Sequence, residues 1–263
     1  MRFTKMHGLG NDYLYVFGEV PENAAELSQK LSDRHFGAGS DGMIYITPSS
    51  RADFGMRIFN ADGSEAQMCG NGIRCVGKYV YDKGYTDKTS VTVETLSGVK
   101  LLRLQARGGK VRSVTVDMGR AEVGEDLALE AAGATFKGTP VSVGNPHFVV
   151  FVDDIEKAPL LTAGPAIEKH AAFPGGVNVE FVQPLGENRL RMRVWERGSG
   201  VTMACGTGAC ASAAAAVGKG LCRAGAPVSV VLDGGTLEVT VGDGGEVLMT
   251  GPAETVYEGE TAV

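Results

Sequence analysis

The sequence predicts a mixed α/β (α+β) protein of two pseudo-symmetric domains, each a mixed, mostly antiparallel curved sheet wrapped around a central helix. Three observations predict it: an internal repeat, β-branched runs on both sides of that repeat, and one helix placed after a cysteine in each half. The repeat relates CGNGIRCVGKYVYDKG, from Cys69, to CGTGACASAAAAVGKG, from Cys205. One offset of 136 positions takes Cys69 to Cys205, Lys83 to Lys219, Gly84 to Gly220 and Met56–Phe59 to Met192–Trp195. Gly10-Asn11 is echoed by Gly144-Asn145, and Gly119–Glu122 by Gly251–Glu254. Matches in the same order along the chain are the signature of a duplicated architecture. The halves are set at 1–118 and 119–263, with the last residues free to pack back on the first half.

Each element has a local reason. The stretch 22–34 reads as a short helix. FGMRIFN (54–60), SVTVETL (90–96) and RSVTVDM (112–118) are alternating or apolar runs that read as strands. After Cys69, Ile73, Val76 and Val80 fall on one face of a helix. SVGNPHFVVFV (142–152), LRMRVW (190–195) and PVSVVL (227–232) are strands of the second half, and 160–172 is a second weak helix. The helix after Cys205 is nearly all alanine. Having no polar face, it is expected to be buried on every side.

Composition narrows the function. Glycine supplies 38 of 263 residues, while hydrophobic residues make up 43% and charged residues 21%, enough for a packed core. The net charge is −6, which sets aside nucleic acid and anionic membranes as partners. No apolar run reaches the roughly 18 residues that span a bilayer, and the start lacks a signal-peptide core. A cytoplasmic protein is expected. The five cysteines are an odd number with no C-x-x-C, and the four histidines are not at ligand spacings. Neither a disulfide framework nor a metal site is expected.

Cys69 and Cys205 each precede a C-G-x-G turn that opens a helix. A helix N-terminus offers unpaired N–H groups and partial positive charge, so it stabilises a thiolate and holds a carboxylate. Two such thiols related by a repeat should face each other across an interdomain cleft. Inverting a stereocentre beside a carboxylate needs a proton taken from one face and another delivered to the opposite face. Opposed thiols suit that task, and the deduction is cofactor-free racemisation or epimerisation of an amino acid. Cys75, Cys210 and Cys222 read as core filler, His7 as a turn residue, and His35 and His170 as surface groups. Gly206-x-Gly208-x-x-Ala211 with Asp233 fits a dinucleotide fingerprint, but that unit has no use for a cysteine before each turn. A thiol redox switch is a further non-enzymatic alternative.

Five stretches together resemble the diaminopimelate epimerase family: HGLGNDY (7–13), FNADGSEAQMCGNGIRC (59–75), GNPHFV (144–149), GVNVEF (176–181) and ERGSGVTMACGTGAC (196–210). They span both halves. The resemblance implies interconversion of LL- and meso-diaminopimelate on the route to lysine and peptidoglycan, with a small amino-acid substrate and without metal, pyridoxal phosphate or other cofactor. It implies that Cys69 and Cys205 are the acid/base pair, with His147 and Glu196 tuning or orienting them. Gly70-Asn71 and Gly206-Thr207 would hold the reacting carboxylate through backbone amides. Asn11, Asn60, Asn145, Asn178 and Arg197 would bind substrate, several of them at its distal end. A homodimer is compatible with this reading. Two positions depart from the family pattern: Val201 stands where many members have Glu, and Gly42 where some have Gln. The alternative is a two-cysteine racemase for another amino acid, proline-, hydroxyproline- or histidine-like.

Overall fold

The computed structural model describes residues 1–262, which fall into two compact units: Met1–Asp117 together with the segment from Gly251 onward, and Met118–Thr250. The first unit runs β1 (Arg2–Gly8), β2 (Asn11–Phe17), α1 (Ala24–Ser32), β3 (Gly42–Thr47), β4 (Phe54–Asn60), β5 (Glu65–Ala66), α2 (Gly70–Asp82), β6 (Ser90–Thr95), β7 (Gly98–Arg107) and β8 (Lys110–Arg120). The chain continues through β9 (Glu122–Val123), β10 (Leu127–Ala131), β11 (Ala134–Ser142), β12 (Pro146–Phe151), α3 (Leu160–Glu168), β13 (Asn178–Pro184), β14 (Arg189–Glu196), β15 (Gly200–Val201), α4 (Gly206–Gly218), β16 (Pro227–Leu232), β17 (Gly235–Val241), β18 (Glu246–Pro252) and β19 (Glu254–Glu260).

The repeat is visible in the pairing. In the first unit β1 and β2 are antiparallel, β2 and β3 parallel, β3 and β4 antiparallel, and β4 and β6 parallel. In the second, β11 and β12 are antiparallel, β12 and β13 parallel, β13 and β14 antiparallel, and β14 and β16 parallel. β6–β8 and β16–β18 continue as antiparallel meanders. The final strand, β19, pairs with β1 and so completes the first unit.

Each unit buries apolar side chains on both faces of its central strands. On one face of the first unit, α1 lays Ala24 and Leu31 against Leu14, Met43, Tyr45 and Phe59. In the second, α3 packs Leu160, Ala163 and Ile167 against Phe148, Val150, Val179 and Phe181. The other face is covered by α2 or α4. Ile73, Val76 and Val80 have no exposed surface, and α4 is buried from Gly208 through Ala216. The alanine-rich helix is therefore enclosed, as its lack of a polar face predicts. Among the described residues no helix is long and apolar enough to cross a membrane.

Some boundaries differ from the sequence pattern. The run 142–152 is two elements, because Gly144, at φ +85°, turns the chain between β11 and β12. The stretch 22–34 is helical only over Ala24–Ser32, ending where Asp33 turns extended. The stretch 160–172 is helical over Leu160–Glu168. The β10–β11 hairpin carried no signal read in the sequence.

The tight seating of α4 yields a stability test. Ala213, with no exposed surface, has no room for a larger side chain, so Ala213→Leu is expected to lower stability by about 1–3 kcal/mol. Urea unfolding measures it, and an unchanged midpoint would show that the helix has slack around it.

Candidate active site

Both candidate thiols sit at helix N-caps with matching backbone geometry. Cys69 (φ −137°, ψ 116°) caps α2, and its Sγ accepts the Gly72 amide at 3.3 Å. Cys205 (φ −116°, ψ 111°) caps α4, and its Sγ accepts the Gly208 amide at 3.4 Å. The sulfur satisfies a third-residue amide that a helix start leaves unpaired, as an oxygen cap usually does. A side chain at this third position would be crowded. A Cβ on Gly72 would stand 2.6 Å from the Ile44 side chain, and one on Gly208 would stand 2.7 Å from Glu180 Oε1.

Around Cys69 the contacts include an amide and a phenol. Its thiol donates to Asn11 Oδ1 at 3.4 Å, and Tyr13 hydrogen-bonds to Asn11 and Cys69. Burial, followed by the charge of Cys69, pushes the Tyr13 hydroxyl well above its ordinary value, so it remains a donor. Asn11 is oriented by Asp41, whose Oδ2 accepts its Nδ2 at 2.8 Å. Asp41 is in turn held by Arg34 at 2.8 Å, and Arg34 also grips Asp12. Gly70 and Asn71 form the first turn of α2, with Asn71 buried. Asn60 lies at the end of β4 and donates to Ser64 Oγ at 3.0 Å.

Around Cys205 the groups are acidic. Glu196 hydrogen-bonds to Cys205 and accepts from the Thr202 hydroxyl. Thr207 Oγ1 is 3.6 Å from Cys205 Sγ and accepts Asn145 Nδ2 at 3.3 Å. Asn145 Oδ1 meets His147 Nε2 at 3.0 Å, and His147 Nδ1 meets Glu180 Oε1 at 2.7 Å. Burial pushes the Cys205 thiol well up, and the charges of Glu196 and Glu180 push it further. These effects outweigh the helix terminus and the hydrogen bonds from Thr207 and Gly208. Burial likewise raises the Glu196 carboxyl above its usual value.

Asn178 and Arg197 act on the loop geometry in this structure. Asn178 Nδ2 donates to the Pro146 carbonyl at 3.0 Å, and its Oδ1 accepts the Arg197 amide at 2.9 Å. Arg197 Nη1 donates to the Gly175 carbonyl at 3.0 Å, leaving the rest of an exposed guanidinium available. Val201 is also exposed, and Gly42 admits no side chain, since a Cβ there would lie 2.2 Å from the Phe59 carbonyl oxygen. Among the described residues no group of three or more His, Cys, Asp and Glu is arranged to hold a metal ion.

The sequence reading did not single out Asp41, Tyr13 or Glu180. Glu180 had a signal, being an acidic residue in the otherwise apolar run VEFV of β13. Its partner is 33 residues away, which no local pattern reveals.

The fold is shared with solved structures of much lower sequence identity. A solved structure of a probable proline racemase from Agrobacterium radiobacter matches with a TM-score of 0.75, covering 100% of this chain and 93% of that one at 19% identity. That level of identity speaks for the fold alone. The family follows from the sequence itself, because the diaminopimelate epimerase family model matches residues 3–124 and 139–256. The diaminopimelate epimerase of Acetivibrio thermocellus is 51% identical over 99% of this chain and 98% of its own length. That of Bacillus licheniformis is 53% identical, over 98% of this chain and 97% of its own. The chain belongs to the diaminopimelate epimerase family.

The unequal surroundings of the thiols predict unequal reactivity. Cys205 is 5% exposed and held protonated, whereas Cys69 is half-buried. Iodoacetamide at neutral pH is expected to modify Cys69 before Cys205. Mass mapping of partly labelled protein checks this, and faster labelling of Cys205 would contradict the electrostatic picture.

Proposed function

We propose that this protein converts LL-diaminopimelate to meso-diaminopimelate by proton transfer at one α-carbon, with Cys69 and Cys205 as the two bases. The observation that carries the reading is the pair of matched helix-capping thiols, each with one glycine amide at the sulfur. One cysteine, as thiolate, takes the α-proton and becomes a thiol. The electron pair left behind is delocalised into the adjacent carboxylate. The other cysteine, as thiol, gives its proton to the opposite face and becomes the thiolate. Atoms and charge balance, the two sulfurs exchange protonation states, and the distal stereocentre is untouched.

The first-turn amides of Gly70-Asn71 and Gly206-Thr207 serve the reacting carboxylate, because helix N-termini favour the charge that develops there. The acidic surroundings of Cys205 suit it to start as the proton donor when Cys69 starts as the base. Glu196 shares a hydrogen bond with that sulfur and so follows its change of charge. His147 acts at one remove, through Asn145 and Thr207. Arg197, Asn11, Asn60 and Asn178 are assigned to substrate binding, the guanidinium suiting a distal carboxylate through a two-pronged contact. No step needs a metal or an electron-sink cofactor. The reading includes a cytoplasmic setting, where five cysteines outside any disulfide stay reduced, and is compatible with a homodimer.

Reduced protein with LL-diaminopimelate in D₂O is expected to yield the meso isomer carrying one α-deuterium, without added metal or pyridoxal phosphate. NMR and chiral chromatography read it, and no turnover would redirect the reading to other amino acids, proline and histidine first. Cys69→Ala and Cys205→Ala are each expected to abolish nearly all conversion, and substantial turnover by either would end the two-base assignment. Arg197→Lys is expected chiefly to raise KM, because a point charge cannot reproduce a guanidinium fork. An unchanged KM would remove Arg197 from the binding set.

A further inference from the structure

The His147–Glu180 pair lies in the core of the second unit, and neither side chain has exposed surface. The parallel register sets His147 beside Asn178 and Val149 beside Glu180, so His147 and Glu180 are diagonal neighbours on one face of the sheet. That face looks onto α4, where Glu180 Oε1 occupies the space a side chain at position 208 would need. Glu180 Oε2 is buried with no hydrogen-bond partner. A carboxyl group in this setting costs stability, and its one hydrogen bond goes to a histidine.

Hydrogen-bond accounting shows what that bond does. Asn145 gives its Nδ2 to Thr207, which leaves its Oδ1 facing His147 Nε2. A carbonyl oxygen only accepts, so Nε2 must carry a proton. At the other side of the ring, Nδ1 and Glu180 Oε1 lie 2.7 Å apart with a proton between them, carried by one or the other. Without a partner there, Nδ1 would be a buried nitrogen with nothing to bond. The ring could then place its only proton on Nδ1, and a bare Nε2 would face the Asn145 carbonyl oxygen, two acceptors at 3.0 Å. Asn145 would have to turn over, reversing the group it offers to Thr207 and so to Cys205.

We infer that Glu180 is a positioning residue for Cys205: it fixes the proton on His147 Nε2 and thereby the orientation of Asn145 and Thr207 at the sulfur. The first unit has a shorter counterpart, in which Asp41 orients Asn11 directly and Asn11 accepts from Cys69. In each unit a carboxylate sets an asparagine, and the asparagine addresses the thiol, directly or through a threonine. Gly208 belongs to the device, since a Cβ there would stand 2.7 Å from Glu180 Oε1 and push the carboxyl group aside.

The test separates hydrogen bonding from charge. In Glu180→Gln the amide N–H can donate to Nδ1, which keeps the Nε2 proton. In Glu180→Leu nothing can. Leu is expected to lower kcat by about a hundredfold, the scale of a small misplacement at a reacting group, while Gln stays within about tenfold of the parent, the lower end for such supporting contacts. The spectroscopic readout is the ¹⁵N–¹H signature of the His147 ring, with Nε2 protonated in the parent and in Glu180→Gln and a tautomer mixture in Glu180→Leu. Equal activity in all three proteins, or equal losses in Gln and Leu, would overturn the assignment. Should the Leu variant not fold, the parent spectrum still decides, because a bare Nε2 there is incompatible with the proposal. The activity arm rests on the proposed epimerisation. The tautomer arm needs no substrate, so a parent that turns over no diaminopimelate fails the functional reading and leaves this one standing or falling on the spectrum.

Discussion

The site depends on a sulfur atom serving as a helix cap. At Cys69 and Cys205 the thiol accepts the amide that a serine or aspartate oxygen would accept more strongly. Each helix therefore begins on a weak cap, and its stability must come from elsewhere. It comes from enclosure: α2 is buried from Gly70 to Val80, and α4 over almost its whole length. Short helices in proteins draw most of their stability from packing. The valine face of α2 and the alanine column of α4 thus allow a thiol to occupy the capping position.

Duplicate frames carry unequal electrostatics. The two caps agree in backbone angles and sulfur-to-amide distance, but Cys69 meets an amide and a phenol where Cys205 meets carboxylates. A helix terminus lowers a thiol pKa, while burial and negative neighbours raise it. At Cys205 the second influence wins. The frame is duplicated, and the neighbours of Cys205 hold its thiol protonated.

The parts of the fold and site that were legible in the sequence are local. In this chain a cysteine before G-x-G marks a helix start, and the repeat showed that it occurs twice. The alanine helix announced its own burial. The β11–β12 boundary was hidden because Gly144 turns the chain inside a run that is otherwise strand-like. Asn145 and Asn178 were legible as site residues through the family motifs, but their working bonds were not. Asn178 has both ends of its amide on backbone, at Pro146 and Arg197. The partnership of His147 with Glu180 depends on the parallel pairing of β12 and β13, a register that neither strand encodes alone.

Glu180 also shows how the fold trades stability for definition. β13 is buried on both faces over Asn178–Val182, the environment in which a parallel strand is ordinarily a continuous apolar run. Val179, Phe181 and Val182 follow that rule. Asn178 and Glu180 break it, and both breaks lie on the face that meets α4 and the loops around Cys205. Replacing buried ionic groups by apolar ones of similar volume is often neutral or stabilising, so stability alone gives no reason for a carboxyl group here with one oxygen unpartnered. The exceptions occur where the strand must hold a ring and a loop in one orientation, and they leave Val179 and Phe181 on the opposite face to pack against α3.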